Sequence, residues 1–189
     1  MSTTTIQGVT LPTAGTYVID PAHSEVGFVA RHLIGTKVRG RFAEVDGTIT
    51  ITEPIEQSSV EAVVQAASVN TGVEMRDDHL RTNDFLDVPN YPTLTLKSTG
   101  LNRVSDADWK LNGELTVRGV TRPVVFDVKF HGAGPGMQPG VEVLGLSATA
   151  EIDRRDFGVS FNGVLQSGNV VVGNKVTIEL EVEAARQEA

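Results

Sequence analysis

The sequence predicts an all-β protein: an antiparallel β-barrel of about eight strands with one short helix. Apolar and polar residues alternate in segments along most of the chain, and glycines punctuate these segments. Such alternation is typical of strands with one dry face and one wet face, which favours antiparallel sheet. About eight to ten such strands in one chain fit a closed barrel or a sandwich.

The predicted strands follow in chain order, each with its apolar and small residues on one face. These residues are Val26, Phe28 and Ala30; Val38, Gly40 and Phe42; Val45, Gly47, Ile49 and Ile51; Leu94 and Leu96; Leu111, Gly113, Leu115 and Val117; Val124, Phe126, Val128 and Phe130; Leu144, Leu146, Ala148, Ala150 and Ile152; and Val176, Ile178, Leu180 and Val182. The glycines mark either bulges that let a sheet curl, or hairpin turns at Asp46-Gly47 and Asn112-Gly113. The alternation continues across both pairs, which favours strand.

One segment breaks the two-residue period and predicts a helix over roughly residues 72–82. Thr71 and Glu74 have the spacing of a capping box. Asp77 and Arg81 stand four apart, in the favourable order for a helix pair. Pro89 and Pro92 prevent helix soon afterwards.

Composition bounds the function. The 189 residues carry 24 Asp and Glu against 16 Lys and Arg, a net charge of −8, which argues against a dedicated nucleic-acid binder and against a protein that clamps onto an anionic membrane. The chain has no cysteine, which excludes disulfides and thiolate chemistry.

We expect one domain over residues 15–184, a flexible lead-in over 1–14 and a tail over 185–189. With no segment able to span a bilayer and no signal peptide recognised, the expected location is the cytoplasm.

Four histidines are the candidates for acid–base or metal chemistry. His32 shares the parity of Ala30, so it either meets a ligand's polar head at a cavity mouth or forms hydrogen bonds at the rim of a core. His79 lies beside Asp77 and Asp78, where a salt bridge on the helix surface is favoured over an acid–base or metal site. No metal-ligand spacing or nucleophile motif is present, so we predict no metal, cofactor or catalytic residue.

Basic residues cluster despite the acidic total. Arg31, Lys37, Arg39 and Arg41 fall within eleven positions. They form either a patch for a phosphate or pyrophosphate head group or a solvated strand face that discourages edge pairing.

An ordered set of motifs resembles the YceI-like family of lipid-binding proteins over roughly residues 15–184. The motifs are Asp20-Pro21-Ala22-His23-Ser24; Phe28, His32-Leu33 and Gly40-x-Phe42; Arg76-Asp77-Asp78-His79-Leu80; Asp84-Phe85-Leu86-Asp87; Tyr91-Pro92; Gly113 to Val124; and Ile152-Asp153-Arg154-Arg155-Asp156-Phe157-Gly158. The resemblance implies an elongated, lipocalin-like barrel with a long apolar pore for a polyisoprenoid or similar amphiphile, and a homodimer. It transfers no established catalytic residue.

Strand parity predicts which side chains line that pore: Val26, Phe28, Ala30, His32, Val38, Phe42, Leu94, Leu96, Leu115, Val117, Phe126, Val128, Leu146 and Ala148. The predicted mouth or head-group residues are His32, Arg39, Arg41, Leu80 and Phe85. Small inward residues should leave room for a ligand: Ala30, Gly40, Gly47, Ala148 and Ala150. Leu33, Ile34, Leu80 and Leu86 are expected near a mouth, where they could serve entry or dimerisation.

The favoured function is therefore non-catalytic binding of a long-chain isoprenoid or similar lipid, for transport, storage or sequestration. One alternative is a lipid-modifying enzyme that uses His32 or His79. The other is a stress-related interaction protein whose barrel interior is solid core.

Overall fold

The computed structural model describes residues 5–6, 9–33 and 35–187. Its strands are β1 (Thr5–Ile6), β2 (Val9–Thr10), β3 (Gly15–Ile19), β4 (Glu25–His32), β5 (Thr36–Phe42), β6 (Val45–Ile51), β7 (Ser59–Gln65), β8 (Val69–Asn70), β9 (Thr93–Arg103), β10 (Asp108–Val117), β11 (Val120–Pro135), β12 (Glu142–Asp153) and β13 (Val172–Arg186). The helix α1 spans Glu74–Arg81, and short 3₁₀ turns occupy Ile55–Gln57, Ala66–Ser68 and Arg154–Phe157. Among these residues no helix has the length and apolar character needed to cross a membrane.

Eight of the strands close into an antiparallel barrel, as predicted. The ring runs β3–β6–β7–β9–β10–β11–β12–β13 and returns to β3. Closure depends on β13, because its last residues pair with β3 while most of its length pairs with β12. β13 continues to Arg186, past the predicted domain end at 184.

The earlier part of β13 pairs instead with β4, which forms a hairpin with β5. β5 meets β8 only at Arg41 and Phe42, so its first residues, 36–40, pair with β4 alone. We call the barrel end that holds the β4–β5 turn, α1 and residues 154–172 the helix end. The opposite end holds residues 52–58, 104–107 and 136–141.

The glycines at the two possible hairpin turns lie within strands. Gly47 lies in β6 and Gly113 in β10. The β9–β10 register shifts between Asn112 and Gly113, which is the bulge that one interpretation required. The hairpin-turn alternative is wrong at both positions.

The helix is confirmed, but its predicted capping box and ion pair are wrong. Val73 is the N-cap, and no side chain caps the helix there. Thr71 instead donates its backbone N–H to the buried Asp77 carboxylate at 2.8 Å, and its hydroxyl donates there too. Because Asp77 is engaged in this way, Arg81 pairs with Asp78 at 2.9 Å.

At the opposite end a half-buried polar network ties the N-terminal segment to β12. Tyr17, fully buried, donates its hydroxyl to Glu142 at 2.7 Å, and Thr13 donates its N–H to the same carboxylate at 2.9 Å. Burial raises the pKa of Tyr17 to about 12, with Glu142 adding to the rise against a hydrogen bond with Thr13. Burial also opposes ionisation of Glu142, but the bonds from Thr13 and Tyr17, with nearby Arg186, hold its pKa below the ordinary 4.5. Residues 1–4 and 7–8 of the predicted flexible lead-in lie outside the described residues, whereas Thr13 is anchored.

This network predicts a specific acid sensitivity. Because the folded pKa of Glu142 is depressed, its stabilisation is complete above its ordinary value of 4.5 and is lost as the pH falls through the folded pKa. We expect Glu142→Gln to lower the unfolding free energy by about 1–2 kcal/mol at neutral pH and by less in acid. Urea unfolding at the two pH values measures this, with the exposed Glu181→Gln as control. An equal deficit at both values would contradict the network's role.

Candidate functional site

A cavity of about 330 Å³ lies inside the barrel, within the size range of small-molecule sites. Its wall extends from Pro12 and Ile55 at the opposite end to Leu80 and Phe157 at the helix end. Two apolar clusters form the barrel core. One is centred on Tyr17 and Leu144, the other on Phe126 and Phe157, and both contribute to this wall. The interior is therefore a hollow core rather than a solid one.

The wall is almost entirely aliphatic and aromatic. Its polar members are Ser24, Ser58, Ser59, Thr95 and Arg154. The Ser24 hydroxyl donates to the Glu183 carbonyl at 3.1 Å, and the Ser58 hydroxyl accepts from the Thr52 N–H at 3.0 Å. Because these two hydroxyls are engaged by the protein and the remaining wall is largely apolar, the wall offers mainly hydrophobic contact along its length.

Twelve of the fourteen residues predicted to line a pore belong to this wall. They are Val26, Phe28, Ala30, Phe42, Leu94, Leu96, Leu115, Val117, Phe126, Val128, Leu146 and Ala148. The sheet register explains the success, since facing residues on neighbouring strands share a side. Ala148, for example, lies opposite Val128 on one strand and Leu180 on the other. Their contact with a ligand stays a prediction.

The other two, His32 and Val38, are not among the wall residues, and their contact with a ligand also stays a prediction. Both have the correct parity: Val38 faces Ala30, and His32 faces Thr36 at the last pair of the hairpin. β5 is not part of the closed ring, however, so Val38 lies one strand farther out than Ala30, its partner, which does line the cavity. A register shift in β13 between Val172 and Val176 displaces the strand that faces His32.

Of the predicted mouth residues, Leu80 and Phe85 line the cavity at the helix end, as does Leu86. Arg39 and Arg41 do not: they are exposed on the outer face of β5, where Arg39 pairs with Glu179 at 2.8 Å. Strand parity explains this, because residues 37, 39 and 41 alternate with the inward Phe42. Leu33 is exposed at the β4–β5 turn, and Ile34 lies outside the described residues.

Only some of the small inward residues leave room for a ligand. Ala30 and Ala148 do border the cavity. At Gly40, however, the Phe28 ring fills the space, since a Cβ there would lie 2.3 Å from the ring. At Gly47 a Cβ would lie 2.8 Å from the Ile19 side chain. Ala150 is buried in the Phe126 cluster outside the wall. These glycines therefore admit neighbouring side chains rather than a ligand.

His79 pairs with an acidic side chain on the protein surface, as the sequence predicts, but the partner is neither of its two neighbours on the helix. Its Nε2 lies 2.8 Å from an Asp84 carboxylate oxygen, rather than contacting Asp77 or Asp78. Its ring stacks edge-on against Phe85 and Phe161, at centroid distances of 5.0 and 5.1 Å. Phe85 belongs to the cavity wall, so His79 stands behind that wall rather than in it.

Sequence reasoning missed Arg154, a buried cation in the wall. Its guanidinium donates to the carbonyls of Val159 and Phe161 at 2.8 Å, and to those of Gly173 and Val172 at 3.0 and 3.4 Å. Burial lowers the pKa of Arg154, while nearby Asp153 favours its charge. Arg154 thereby fastens the segment 158–172 over the helix end. The sequence signal that could have pointed to Arg154 is its place in the Asp153-Arg154-Arg155-Asp156 motif.

Among the described residues, one group on the outside of the barrel has the geometry to ligate a metal. Asp20, His23 and Glu183 bring their ligand atoms within 4.8 Å of one another. His23 Nδ1 lies 2.8 Å from Asp20, a hydrogen bond that raises the pKa of His23 and lowers that of Asp20. The Asp20 carboxylate also accepts the Ala22 N–H at 2.8 Å. The group borders the turn between β3 and β4 rather than the cavity.

A family model described as the YceI-like domain matches residues 17–184. The chain belongs to the YceI-like family. A UPF0312 protein of Staphylococcus aureus strain N315 is 31% identical over 170 residues, which cover 88% of this chain and 95% of that protein. The crystal structure of the Campylobacter jejuni YceI protein matches with a TM-score of 0.69 and 28% identity, covering 84% of this chain and 90% of that one.

A more distant structure has the same fold. It is a polyisoprenoid-binding domain from Saccharophagus degradans, with a TM-score of 0.68 and 15% identity. The match covers 93% of this chain and all of that domain, 100%. The YceI-like resemblance and the lipocalin-like barrel are thus confirmed.

Proposed function

We propose that this YceI-like protein binds the hydrocarbon tail of a polyisoprenoid, or of a similar long-chain lipid, in its barrel cavity without converting it chemically. The observation that carries the proposal is the apolar wall, which continues from Pro12 at one end to Phe157 at the other. The polyisoprenoid-binding domain of Saccharophagus degradans has the same fold and supports the choice of ligand. Transport, storage or sequestration would each use this binding.

The tail must supply most of the affinity. Burying one CH₂ group contributes roughly 0.8 kcal/mol, so each five-carbon isoprene unit that the cavity holds offers about 4 kcal/mol before ordering costs. Ser24 and Ser58 in the wall are hydrogen-bonded within the protein, so a polar head group gains little inside. We therefore infer a head group held at a mouth, modest head-group selectivity, and affinity that rises with chain length until the cavity is full.

The protein contains its own reporter of ligand entry. Trp109 is the single tryptophan of the chain, is 4% exposed and lines the cavity. Titration with prenols of increasing length should shift its fluorescence, with dissociation constants that fall with each added unit. Organic extraction of the native protein followed by mass spectrometry should find a prenyl lipid near one per chain. A blank extract together with no fluorescence response to any prenol would overturn the proposal.

The family resemblance also led us to expect a homodimer, which we retain as part of the proposal. A dimer of a lipid carrier could enclose one mouth of each cavity. Light scattering coupled to size-exclusion chromatography tests this directly, and a monomer at all concentrations would remove the dimer from the proposal.

A further inference from the structure

Five exposed apolar side chains cluster at the helix end, next to the cavity. They are Leu33, Phe161, Val164, Leu165 and Val170, each between 40% and 72% exposed. We call this group the apolar tip. Leu33 adopts a left-handed backbone with φ of 51°, a conformation that is unusual for a leucine.

Backbone hydrogen bonds and ring contacts join the tip into one surface. The Leu33 N–H donates to the Val171 carbonyl at 2.8 Å, which connects the β4–β5 turn to the segment 158–172. Val164 pairs with Val170 across that segment. Phe161 contacts Phe85 at a centroid distance of 5.4 Å, and Phe85 lines the cavity. An apolar path therefore leads from the tip to the cavity wall.

The two segments that meet at the tip carry cations and no acidic residue, although the whole protein is acidic and α1 at the same end carries the exposed Glu74 and Asp78. Of 24 acidic residues in the chain, none falls in residues 26–43 or 157–174, the two segments that meet there. The first segment carries four cations, and Arg31 and Lys37 face each other near the turn. Arg31 donates to the Gly35 carbonyl at 3.2 Å, which holds its guanidinium beside the tip. The nearby Asp84 carboxylate is engaged by His79.

We infer that the apolar tip docks on an anionic membrane surface, where its side chains enter the interface and Arg31 and Lys37 meet lipid head groups. Exposed apolar groups flanked by cations are the combination that binds such surfaces. A second copy of the chain is a poorer occupant, since stable dimers bury about 800 Å² per partner over some 20–30 residues. Docking there would place the helix end of the cavity against the membrane; this purpose rests on the proposed function, whereas docking itself does not.

The test is flotation of the native protein with vesicles of phosphatidylcholine and phosphatidylglycerol in equal parts. We expect wild-type protein to float with them, and Val164→Glu/Leu165→Glu to reduce the bound fraction at least tenfold. The matched control, Val104→Glu/Met137→Glu, changes two exposed apolar residues at the opposite end, and should float like wild type. Arg31→Gln/Lys37→Gln, or pure phosphatidylcholine vesicles, should weaken binding severalfold. Thermal unfolding shows whether each variant is folded.

Three outcomes would overturn the inference: wild-type protein that does not float, equal losses in the tip and control variants, or a dimer that Val164→Glu/Leu165→Glu converts to monomer while vesicle binding persists. The Trp109 titration with a prenol separates this inference from the proposed function. Flotation without a prenol response would support docking and reject lipid binding in the cavity. A prenol response without flotation would reject docking alone.

Discussion

Replacing Ala148 by Phe should lower the affinity for a long-chain prenol at least a hundredfold while leaving the barrel folded. Ala148 is 4% exposed and borders the cavity between Val128 and Leu180. A benzyl group there would occupy the space that the tail needs, and the hollow interior accommodates it with less strain than a filled core would. A hundredfold loss corresponds to about 2.7 kcal/mol, the contribution of three to four buried CH₂ groups.

The matched control is Thr149→Phe, the next residue of the same strand. Thr149 is exposed on the outer face, so the same added group stays out of the cavity. Trp109 fluorescence measures prenol binding in both variants, and circular dichroism confirms the barrel. Unchanged affinity in a folded Ala148→Phe protein would place the tail elsewhere, whereas equal losses in both variants would indicate a general disturbance of the sheet.

Removing the Arg154 guanidinium should produce the largest loss of stability. Arg154→Met deprives the carbonyls of Val159, Phe161, Val172 and Gly173 of a charged donor. Hydrogen bonds to charged groups contribute about 1.5–3 kcal/mol each but are not additive, so we expect a loss of about 3 kcal/mol. Arg154→Lys should recover only part of it, because an ammonium cannot reproduce the planar fork of donors.

Urea unfolding measures this loss, with Arg155→Met as the neighbouring control. Arg155 is exposed and pairs with Asp153 at 2.6 Å, an arrangement that lowers the pKa of Asp153 to about 2. Exposed pairs contribute little, so the control should cost far less than Arg154→Met. An Arg154→Met protein as stable as Arg155→Met would show that segment 158–172 does not depend on this cation.

Most of the cavity wall is predictable from the amino-acid sequence, because the side-chain period of a strand is two. Once Phe28 and Ala30 are known to face inward, the inward residues of their whole strand follow. The alternation on other strands identifies Val128 and Ala148 as inward in the same way, and the sheet register aligns them. The helix is also predictable from its flanking residues. Its hydrogen bonds are not, since Asp77 bonds to Thr71 only because the residues between them fold back beside β8.

The sequence does not show where a strand leaves the closed ring of the barrel. His32 and Val38 have the inward parity yet are absent from the cavity wall, because β13 exchanges its partner β4 for β3, β5 lies outside the closed ring, and the β4–β13 register shifts beside His32. Nothing local marks that exchange. The role of Arg154 likewise depends on carbonyls from residues 159 to 173, which only the folded chain brings around one guanidinium.

Residue order alone thus specifies the fold class, the family and the inward face of most strands, all of which depend on local period or on ordered motifs. The folded chain is needed to define how far the cavity extends and which inward glycines are filled by neighbours. It is also needed to define which exposed residues meet at the helix end. The physical reason is that side-chain direction follows from the backbone period, whereas enclosure and proximity depend on strand register and on contacts between distant segments.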